Sequence, residues 1–470
     1  MKTAARSNAA RLAALPSQQL PPGPVGTLVK ILAGDFAVLP FMERGFQDYG
    51  DMFSFRIGPA LIVQVAHPHD IERLLVGYPK QLLKDVATRD LGLILGRGLL
   101  TSDGDLWRRQ RKLAAPSFTR KHVHRYAQVM TRAARRGTFT RFDRVKVGDI
   151  HPHMMAMALD VVLGTLFGDE LGDGIVEPQR VAELLEVFMD AVLQRSSSWE
   201  QLVPPHWPLP GSRRAIAARA ELDVMLDALV DRARHSGAVG DELLHRLLRA
   251  TDEQGRSMDT ALLRDELATV FLAGHETTGL SLSFTLHLLT QHPSVMARTV
   301  AEIDAVVGAA PLELAHLDRL AYLDAVVKES LRLLPPAWAI GREPTETIEL
   351  GGYPIPPGTQ LLLPQWIVHR DPRWYDEPLR YWPERWLEGS TVDRARPRMA
   401  YFPFGGGHRI CVGNHFALLE AKLMLATLLQ HVEFRAEPGF ELDLLPAVTL
   451  RPAHGVQLWS APRRRRTRTP

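Results

Sequence analysis

The sequence predicts one large, mainly α-helical domain with a minor β region. Several long segments carry apolar residues at helical spacing, whereas the few strand-like segments cluster toward the two ends. No internal repeat or long low-complexity linker divides the 470 residues. Apolar residues make up 46% and charged residues 23% of the chain, which is typical of a globular protein with a substantial core.

Helical periodicity and helix-ending residues define the main elements. The predicted helices cover residues 120–167, 178–193, 213–234, 258–289, 294–307 and 321–334. Pro178 suits a first helical position, where its missing N–H costs nothing. The pair Pro335-Pro336 ends the last of these helices.

The predicted strands are short and bounded by turn residues. Residues 53–57 and 61–65 form a predicted hairpin around Gly58-Pro59. Residues 347–363 read as short strands broken by prolines, and residues 442–459 alternate like strands.

Composition also predicts the domain boundaries. We expect a flexible leader over residues 1–20, a single domain over 21–462 and a basic tail over 463–470. The tail has no aromatic interleaving, so it does not predict nucleic-acid binding. The sequence contains no run of about eighteen apolar residues, so it does not predict a transmembrane anchor. A single cysteine and the lack of a secretory signal favour the reducing cytoplasm, where we expect a monomer.

The only cysteine, Cys411, lies in the segment Phe404-Gly-Gly-Gly-His-Arg409-Ile-Cys411-Val-Gly413. It cannot form an internal disulfide, and a helical pattern follows it directly. Backbone N–H groups at such a loop-to-helix junction stabilise a thiolate, which can bind a metal. Arg409 could neutralise an anionic group of a cofactor. The alternative, a small buried hydrophobe, is common for isolated cysteines but is disfavoured by these flanking residues.

A second segment, Ala-Gly-His-Glu-Thr-Thr at residues 273–278, falls in the middle of a predicted helix. Gly274 weakens a helix by about 1 kcal/mol relative to alanine, and threonine hydroxyls compete for backbone carbonyls. We therefore expect a helix bulge at which Glu276 and Thr277 hold water beside a bound ligand. The alternative is a threonine pair that is merely packed.

A third segment places Glu329 and Arg332 at i, i+3 spacing on one helical face. Arg385, in Pro-Glu-Arg-Trp, offers a second guanidinium about fifty residues later. These three residues predict a buried Arg–Glu–Arg network.

A fourth segment carries Trp107 and Arg111 one helical turn apart, so that both could reach one carboxylate. Between and beside them, Arg108, Arg109 and Lys112 predict a solvated basic face.

These four segments, in this order and spacing, resemble the cytochrome P-450 family over roughly residues 20–458. The helix motif is closer to the fatty-acid-hydroxylase and eukaryotic-like branches than to the short camphor-hydroxylase type. The family's Pro-Glu-Arg-Phe appears here as Pro-Glu-Arg-Trp. The resemblance implies the P-450 fold, a large helical domain with small sheets.

The resemblance also implies a role for each motif residue. Cys411 would be the axial thiolate of haem b, shielded by Phe404, with Gly413 letting the backbone approach the porphyrin. Oxygen activation would use Thr277 and Glu276. The haem propionates would be bound by Trp107, Arg111 and Arg409, with Arg342 as an additional candidate. The structural triad would be Glu329, Arg332 and Arg385.

The implied activity is a monooxygenase that hydroxylates or epoxidises an apolar small molecule with O2. Family members driven by peroxide replace the acid–alcohol pair, which this chain keeps. NAD(P)H would act through a separate ferredoxin or flavodoxin and its reductase, steered to the basic face of Arg108, Arg109 and Lys112. The substrate would contact segments near residues 83–100, 186–207, 268–277, 336–340 and 447–450. Their apolar character favours a terpenoid, with fatty acids, macrolides and steroids as alternatives.

Two other function classes remain open at this point. One is a non-catalytic haem-thiolate binding or sensing protein, which would not need the Glu276-Thr277 pair. The other is a haem-thiolate isomerase or dehydratase that works without external electrons.

Overall fold

The computed structural model describes residues 20–27, 36–171, 177–196, 210–235, 240–390 and 396–463. All of the predicted leader except Leu20, and all of the predicted tail except Arg463, lie outside these ranges.

Helices dominate the described residues. In the first half of the chain they are α1 (Val38–Tyr49), α2 (Pro68–Glu72), α3 (Val86–Asp90), α4 (Gly92–Leu95), α5 (Gly104–Ala114), α6 (Arg120–Arg141), α7 (His151–Leu171), α8 (Pro178–Ser196) and α9 (Pro210–His235). In the second half they are α10 (Leu243–Arg249), α11 (Thr260–Gln291), α12 (Pro293–Val306), α13 (Ala321–Leu333), α14 (Gln365–Val368) and α15 (Asn414–His431).

The strands form small sheets beside the helices. They are β1 (Met52–Ile57), β2 (Ala60–Val65), β3 (Leu82–Lys84), β4 (Lys146–Asp149), β5 (Ile340–Pro344), β6 (Ile348–Leu350), β7 (Tyr353–Ile355), β8 (Gln360–Leu363), β9 (Val432–Ala436), β10 (Leu444–Pro446), β11 (Leu450–Pro452) and β12 (Gln457–Pro462). One sheet has the order β1-β2-β8-β5-β3 and another β4-β12-β9, while β6-β7 and β10-β11 are two-stranded. The only parallel pairing among these strands is β2 with β8. This architecture is the mainly helical fold with small sheets that the sequence predicts.

The long helix α11 runs through the core and packs on α7 and α15. Its apolar residues are buried nearly all round rather than along one stripe, as expected for a helix enclosed by others. The rings of Phe167 on α7 and Phe271 on α11 lie 5.7 Å apart. The motif of residues 273–278 is thereby fixed at the centre of the molecule.

The predicted helix over residues 120–167 is wrong in its middle. Strand β4 interrupts it and pairs antiparallel with β12, near the other end of the chain. Local periodicity cannot show a strand whose pairing partner lies about 300 residues away.

The expected bulge at Gly274 is also not found, because α11 is a continuous α-helix there. The Thr277 hydroxyl donates to the Ala273 carbonyl at 2.7 Å without opening the helix. A Cβ at Gly274 would lie 3.0 Å from Cγ2 of Val162 on α7. The glycine therefore permits close packing of two helices rather than a break in one of them.

Candidate active site

The loop before α15 holds Cys411 in a fixed position. Gly407 has φ +65°, and a Cβ there would lie 2.0 Å from the Leu75 carbonyl oxygen, so a side chain is excluded. The Cys411 N–H donates to the Phe404 carbonyl at 2.9 Å and closes the loop. The glycine at 407 and this hydrogen bond together hold the short irregular segment, and with it the Cys411 thiol, in one conformation.

Cys411 is accessible to solvent. Burial raises the pKa of the Cys411 thiol, while the Gly413 N–H and the positive charge of Arg111 act to lower it. A Cβ on Gly413 would meet only the Cys411 sulfur, at 4.0 Å. The surrounding protein leaves room for a side chain at 413, so the glycine suits a group bound next to the thiol.

The loop itself contains a cation, Arg409, whose side chain is only 8% exposed. Its Nη2 donates to Oδ1 of Asp103 at 2.7 Å, and its guanidinium lies 4.6 Å from the ring centre of Trp107. Its Nε and Nη1 are buried and have no hydrogen-bond partner within the described residues. Buried guanidinium donors are normally satisfied, so these two fit the carboxylates of a bound cofactor.

Two more buried cations, Arg342 and Lys84, flank Arg409. Both lie in the first sheet, where Lys84 of β3 pairs with Arg342 of β5. Burial, and then the charge of Arg409, lower the pKa of Arg342 to about 10 and that of Lys84 to about 7. The Lys84 ammonium donates to the carbonyls of Leu99 at 2.7 Å and Ser102 at 2.9 Å.

Positive charge is thus in excess around Asp103, which suits an anionic ligand. Sequence reasoning missed Lys84, because no motif marks it and only the β3–β5 pairing brings it to this place. Together with the exposed thiol, these cations form a donor set that fits a haem: a sulfur ligand for iron and cations for carboxylates.

Trp107 and Arg111 lie one turn apart on α5, as the sequence predicts, and each faces a part of the Cys411 loop. The Trp107 ring is buried against Arg409 and meets His408 edge-on at 5.3 Å. Arg111 is half-buried near Cys411, and burial lowers the pKa of its guanidinium. That both bind cofactor carboxylates stays a prediction.

On α11, accessible surface appears in the middle of a buried helix. Ala273 is exposed and Thr277 is partly exposed, while His275 and Glu276, which lie between them in the sequence, are buried. Thr277 lies on this accessible face. Its role in oxygen activation stays a prediction.

Glu276 does not lie beside Thr277 at a bulge. Its Oε1 instead accepts hydrogen bonds from Thr449 Oγ1 at 2.7 Å and Arg451 Nε at 2.8 Å, and Arg451 Nη2 lies 2.6 Å away in an ion pair. Both partners belong to the β10–β11 hairpin region, and neither was identified from the sequence. The only sequence signal was that residues 447–450 fall in a predicted recognition segment.

A second buried acid near this point was also missed. Glu420 of α15 is fully buried, and burial raises the pKa of its carboxyl well above the ordinary value. Its Oε2 accepts from the Thr278 hydroxyl at 3.2 Å. Two buried carboxyl groups thus lie next to this part of α11: Glu276, which is ion-paired, and Glu420, whose pKa is raised by burial.

Glu329, Arg332 and Arg385 are brought together in the core, each no more than 1% exposed. Arg332 donates to both Glu329 oxygens at 2.8 Å, and Arg385 Nε donates to Oε1 at 3.0 Å. The Trp382 N–H adds a bond at 2.9 Å, and Trp386 Nε1 adds one at 2.8 Å. The tryptophan in Pro-Glu-Arg-Trp therefore supplies a donor that phenylalanine lacks.

The predicted basic face on α5 is solvent-exposed at Arg108 and Lys112, whose side chains are 53% and 69% exposed, but its charges are paired. Arg109 pairs with Asp252 at 2.6 Å, and Lys112 pairs with Glu253 at 2.7 Å. Arg108 pairs with Asp105 on its own helix. These three cations and three carboxylates carry no net charge together.

No helix in the part of the chain that the structure describes is long and apolar enough to cross a membrane.

Residues 21–454 match the family model described as Cytochrome P450. The chain is 33% identical to Cyclooctatin synthase of Streptomyces melanosporofaciens, over 86% of this chain and 87% of that one. It is 33% identical to Cyclooctat-9-en-7-ol 5-monooxygenase of the same organism, over 84% of each chain. It is 32% identical to Pentalenene oxygenase of Streptomyces avermitilis, over 86% and 88%.

The fold is similar to that in the crystal structure of the cytochrome P450DA heme domain. The TM-score is 0.84 at 26% identity, with 95% of this chain and 98% of that chain covered.

Proposed function

The chain belongs to the cytochrome P450 family and is a P450 monooxygenase, and from this premise we propose that it hydroxylates or epoxidises a terpenoid at the site between Cys411 and α11. The observation that carries the proposal is the accessible Cys411 thiol beside the unsatisfied donors of Arg409. Family membership implies haem, O2 and a reduced electron donor. The sensor and the electron-independent enzyme are not favoured by any contact in this site.

Haem b would be held by this chain's sulfur and cations. Cys411 would ligate the iron, and Arg409, Arg342 and Lys84 would bind the propionates, with Trp107 packed beneath Arg409. Thiolate-ligated haem supplies the chemistry that cleaves the O–O bond of dioxygen. The cations would supply orientation and charge balance, since the side chains of all three are largely enclosed by protein.

The proposed terpenoid substrate rests on the relatives' names and on the apolar surroundings of the site. One relative is named for a monooxygenation of cyclooctat-9-en-7-ol and another for pentalenene. Val270, three residues before Ala273 on α11, and Trp338 are half-buried apolar side chains, and the Trp338 indole N–H donates to the Ala447 carbonyl at 2.8 Å. That indole therefore presents apolar surface without a free donor.

A substrate panel tests this proposal. We expect pentalenene and cyclooctat-9-en-7-ol to shift the haem from low to high spin and to be oxygenated, with dodecanoic acid and progesterone as comparison ligands. A response to dodecanoic acid or progesterone with none to either terpenoid would contradict the terpenoid assignment.

Thr277→Ala should divert electrons from product to hydrogen peroxide. Its hydroxyl lies on the accessible face of α11, where it can pass a proton to a ligand, and general acid–base groups contribute about 10²–10⁴-fold. We expect product formed per NADPH to fall at least about tenfold, with haem content and substrate affinity nearly unchanged.

Thr277→Ser is the matched control, because it keeps the hydroxyl while removing the methyl group. It should retain most of the parent's coupling. Equal coupling in the parent and the alanine variant would show that Thr277 is merely packed.

Electrons would come from a separate ferredoxin or flavodoxin that docks near the Cys411 loop. Helix α5 borders this loop, since Trp107 contacts His408 and Arg409. Because the cations of α5 are paired, we infer only weak steering of an acidic donor by this helix.

Whether α5 attracts an acidic electron donor can be tested at one ion pair. Glu253→Gln uncovers the Lys112 charge and should raise the second-order rate of first-electron transfer from an acidic [2Fe–2S] ferredoxin by about twofold at low salt. Lys112→Gln should lower the rate by a similar factor, and both effects should fade as salt rises. Rates unchanged in both variants would place the docking surface elsewhere.

We also infer that the domain covers residues 21–463, one residue more than the sequence predicts, and that the protein is a cytoplasmic monomer. Arg463 belongs to the domain, because its N–H donates to the His431 carbonyl at 2.7 Å and its guanidinium pairs with Asp304. The family match over residues 21–454 and the pairing of β12 through Pro462 support these boundaries.

A further inference from the structure

The buried carboxylate of Glu276 is bound on one oxygen. Three contacts reach it from the described residues, namely hydrogen bonds from Arg451 Nε and Thr449 Oγ1 and the ion-pair contact of Arg451 Nη2, and all three involve Oε1. Both side chains of the ion pair are largely enclosed, with Glu276 3% and Arg451 19% exposed. An ion pair this enclosed is screened far less than one at the surface.

The donors come from a hairpin that is itself anchored. Leu450 N–H donates to the Pro336 carbonyl at 2.8 Å, and the Ala447 carbonyl accepts from Trp338 Nε1 at 2.8 Å. In the β10–β11 ladder, Arg451 pairs with Leu445. The Glu276 carboxylate is therefore tied to a rigid element outside its own helix.

We propose that Arg451 is a positioning residue for Glu276: with Thr449, it anchors Oε1 on the β10–β11 hairpin and holds Oε2 in one orientation, from which a proton passes around α11 to the face that carries Thr277. In each cycle Glu276 takes up one proton from solvent and passes one on toward that face, so that it returns to its starting state. No electron is exchanged by either residue. This inference rests on the proposed function, because it assigns a proton-transfer role to the same site.

The geometry distinguishes positioning from packing. A carboxylate without Arg451 could still be buried and hydrogen-bonded by Thr449, but it would be free to rotate. Misplacement of a reacting group by about 1 Å can cost about 10²-fold in rate. Loss of Arg451 should therefore act only through Glu276.

A double-mutant cycle tests this dependence. Arg451→Gln should lower product per NADPH by about three- to tenfold with pentalenene as the probe, and peroxide should rise correspondingly. Glu276→Gln should lower it at least as much, and adding Arg451→Gln to Glu276→Gln should change it no further. Arg451→Lys, which keeps the charge, should recover part of the loss.

Two controls separate this effect from general destabilisation. Arg125→Gln breaks an exposed arginine–aspartate pair with Asp241 and should leave coupling unchanged. Thr449→Val removes one of the three contacts while keeping the ion pair. It should cause a smaller loss that also vanishes with Glu276→Gln, and it serves if Arg451→Gln does not load haem.

Hydrogen exchange gives a readout that needs no substrate. In the haem-loaded protein, Arg451→Gln and Glu276→Gln should each increase exchange of the peptide over residues 444–452, because each removes the same anchor. If exchange is faster in both variants but the protein oxygenates none of the probes, the anchoring of Glu276 is supported and the terpenoid assignment is contradicted. Equal coupling losses from Arg451→Gln with and without Glu276, or unchanged exchange, would overturn the proposal.

Discussion

Cys411→Ser should abolish thiolate ligation, and with it monooxygenase activity. No other cysteine exists in the sequence to replace the sulfur. Loss of groups that only support a metal ligand costs about 10–100-fold, so loss of the ligand itself should exceed about 100-fold. The reduced, CO-bound protein should lose the long-wavelength Soret band of a thiolate-ligated haem.

The same variant should still fold. The thiol donates no hydrogen bond that closes the loop, since the closing bond runs from the Cys411 backbone N–H to Phe404. Helix content by circular dichroism should therefore match the parent, with haem content reduced. An unchanged long-wavelength Soret band would contradict Cys411 as the ligand.

Features governed by local sequence could be predicted closely. The apolar spacing that predicts a helix over 258–289 corresponds to α11, Thr260–Gln291, and the double proline after α13 ends it as expected. The glycine-rich loop also belongs to this class, because position 407 has a positive φ and lies against a backbone carbonyl, and glycine accommodates both.

Features set by contacts between distant segments could not be predicted. Strand β4 exists because β12 supplies its hydrogen-bonding partner. The places of Lys84 and Arg451 depend on pairing within β3–β5 and β10–β11, which no spacing in the sequence encodes. The paired state of Arg109 likewise depends on Asp252, about 140 residues later.

The position of Glu276 in its helical motif was also not enough to predict its hydrogen-bond partners. Its neighbour Thr277 lies on the accessible face, but consecutive helical residues point about 100° apart. That rotation turns Glu276 toward the hairpin carrying Thr449 and Arg451. A shared motif therefore does not imply a shared side of the helix.

Glu329→Gln should destabilise the fold and haem loading more than the chemistry. The carboxylate accepts five hydrogen bonds, and both arginines are no more than 1% exposed, so the substitution leaves two buried cations without their counter-charge. Breaking a buried ion pair costs about 3–5 kcal/mol. We expect the unfolding temperature to fall by roughly 3–5 °C and the yield of haem-loaded protein to drop.

A surface pair of the same geometry provides the matched control. Glu377 and Arg380 also lie three residues apart with N···O at 2.8 Å, but both are more than half exposed. Glu377→Gln should change stability by less than about 1 kcal/mol. Equal stability of the two variants would contradict a structural role for the buried network.

The pH dependence of unfolding should report the same network. Burial acts to raise the pKa of Glu329, but the hydrogen bonds and charges of Arg332 and Arg385 outweigh it and hold the pKa below its ordinary value. A lowered pKa contributes stability that is complete above the unfolded-state value of about 4.3 and is lost as pH falls through the folded-state value. The stability difference between the parent and Glu329→Gln should therefore stay constant from neutral pH to about pH 5 and shrink below about pH 4. A difference that persists unchanged at lower pH would mean that the glutamine variant loses packing rather than charge.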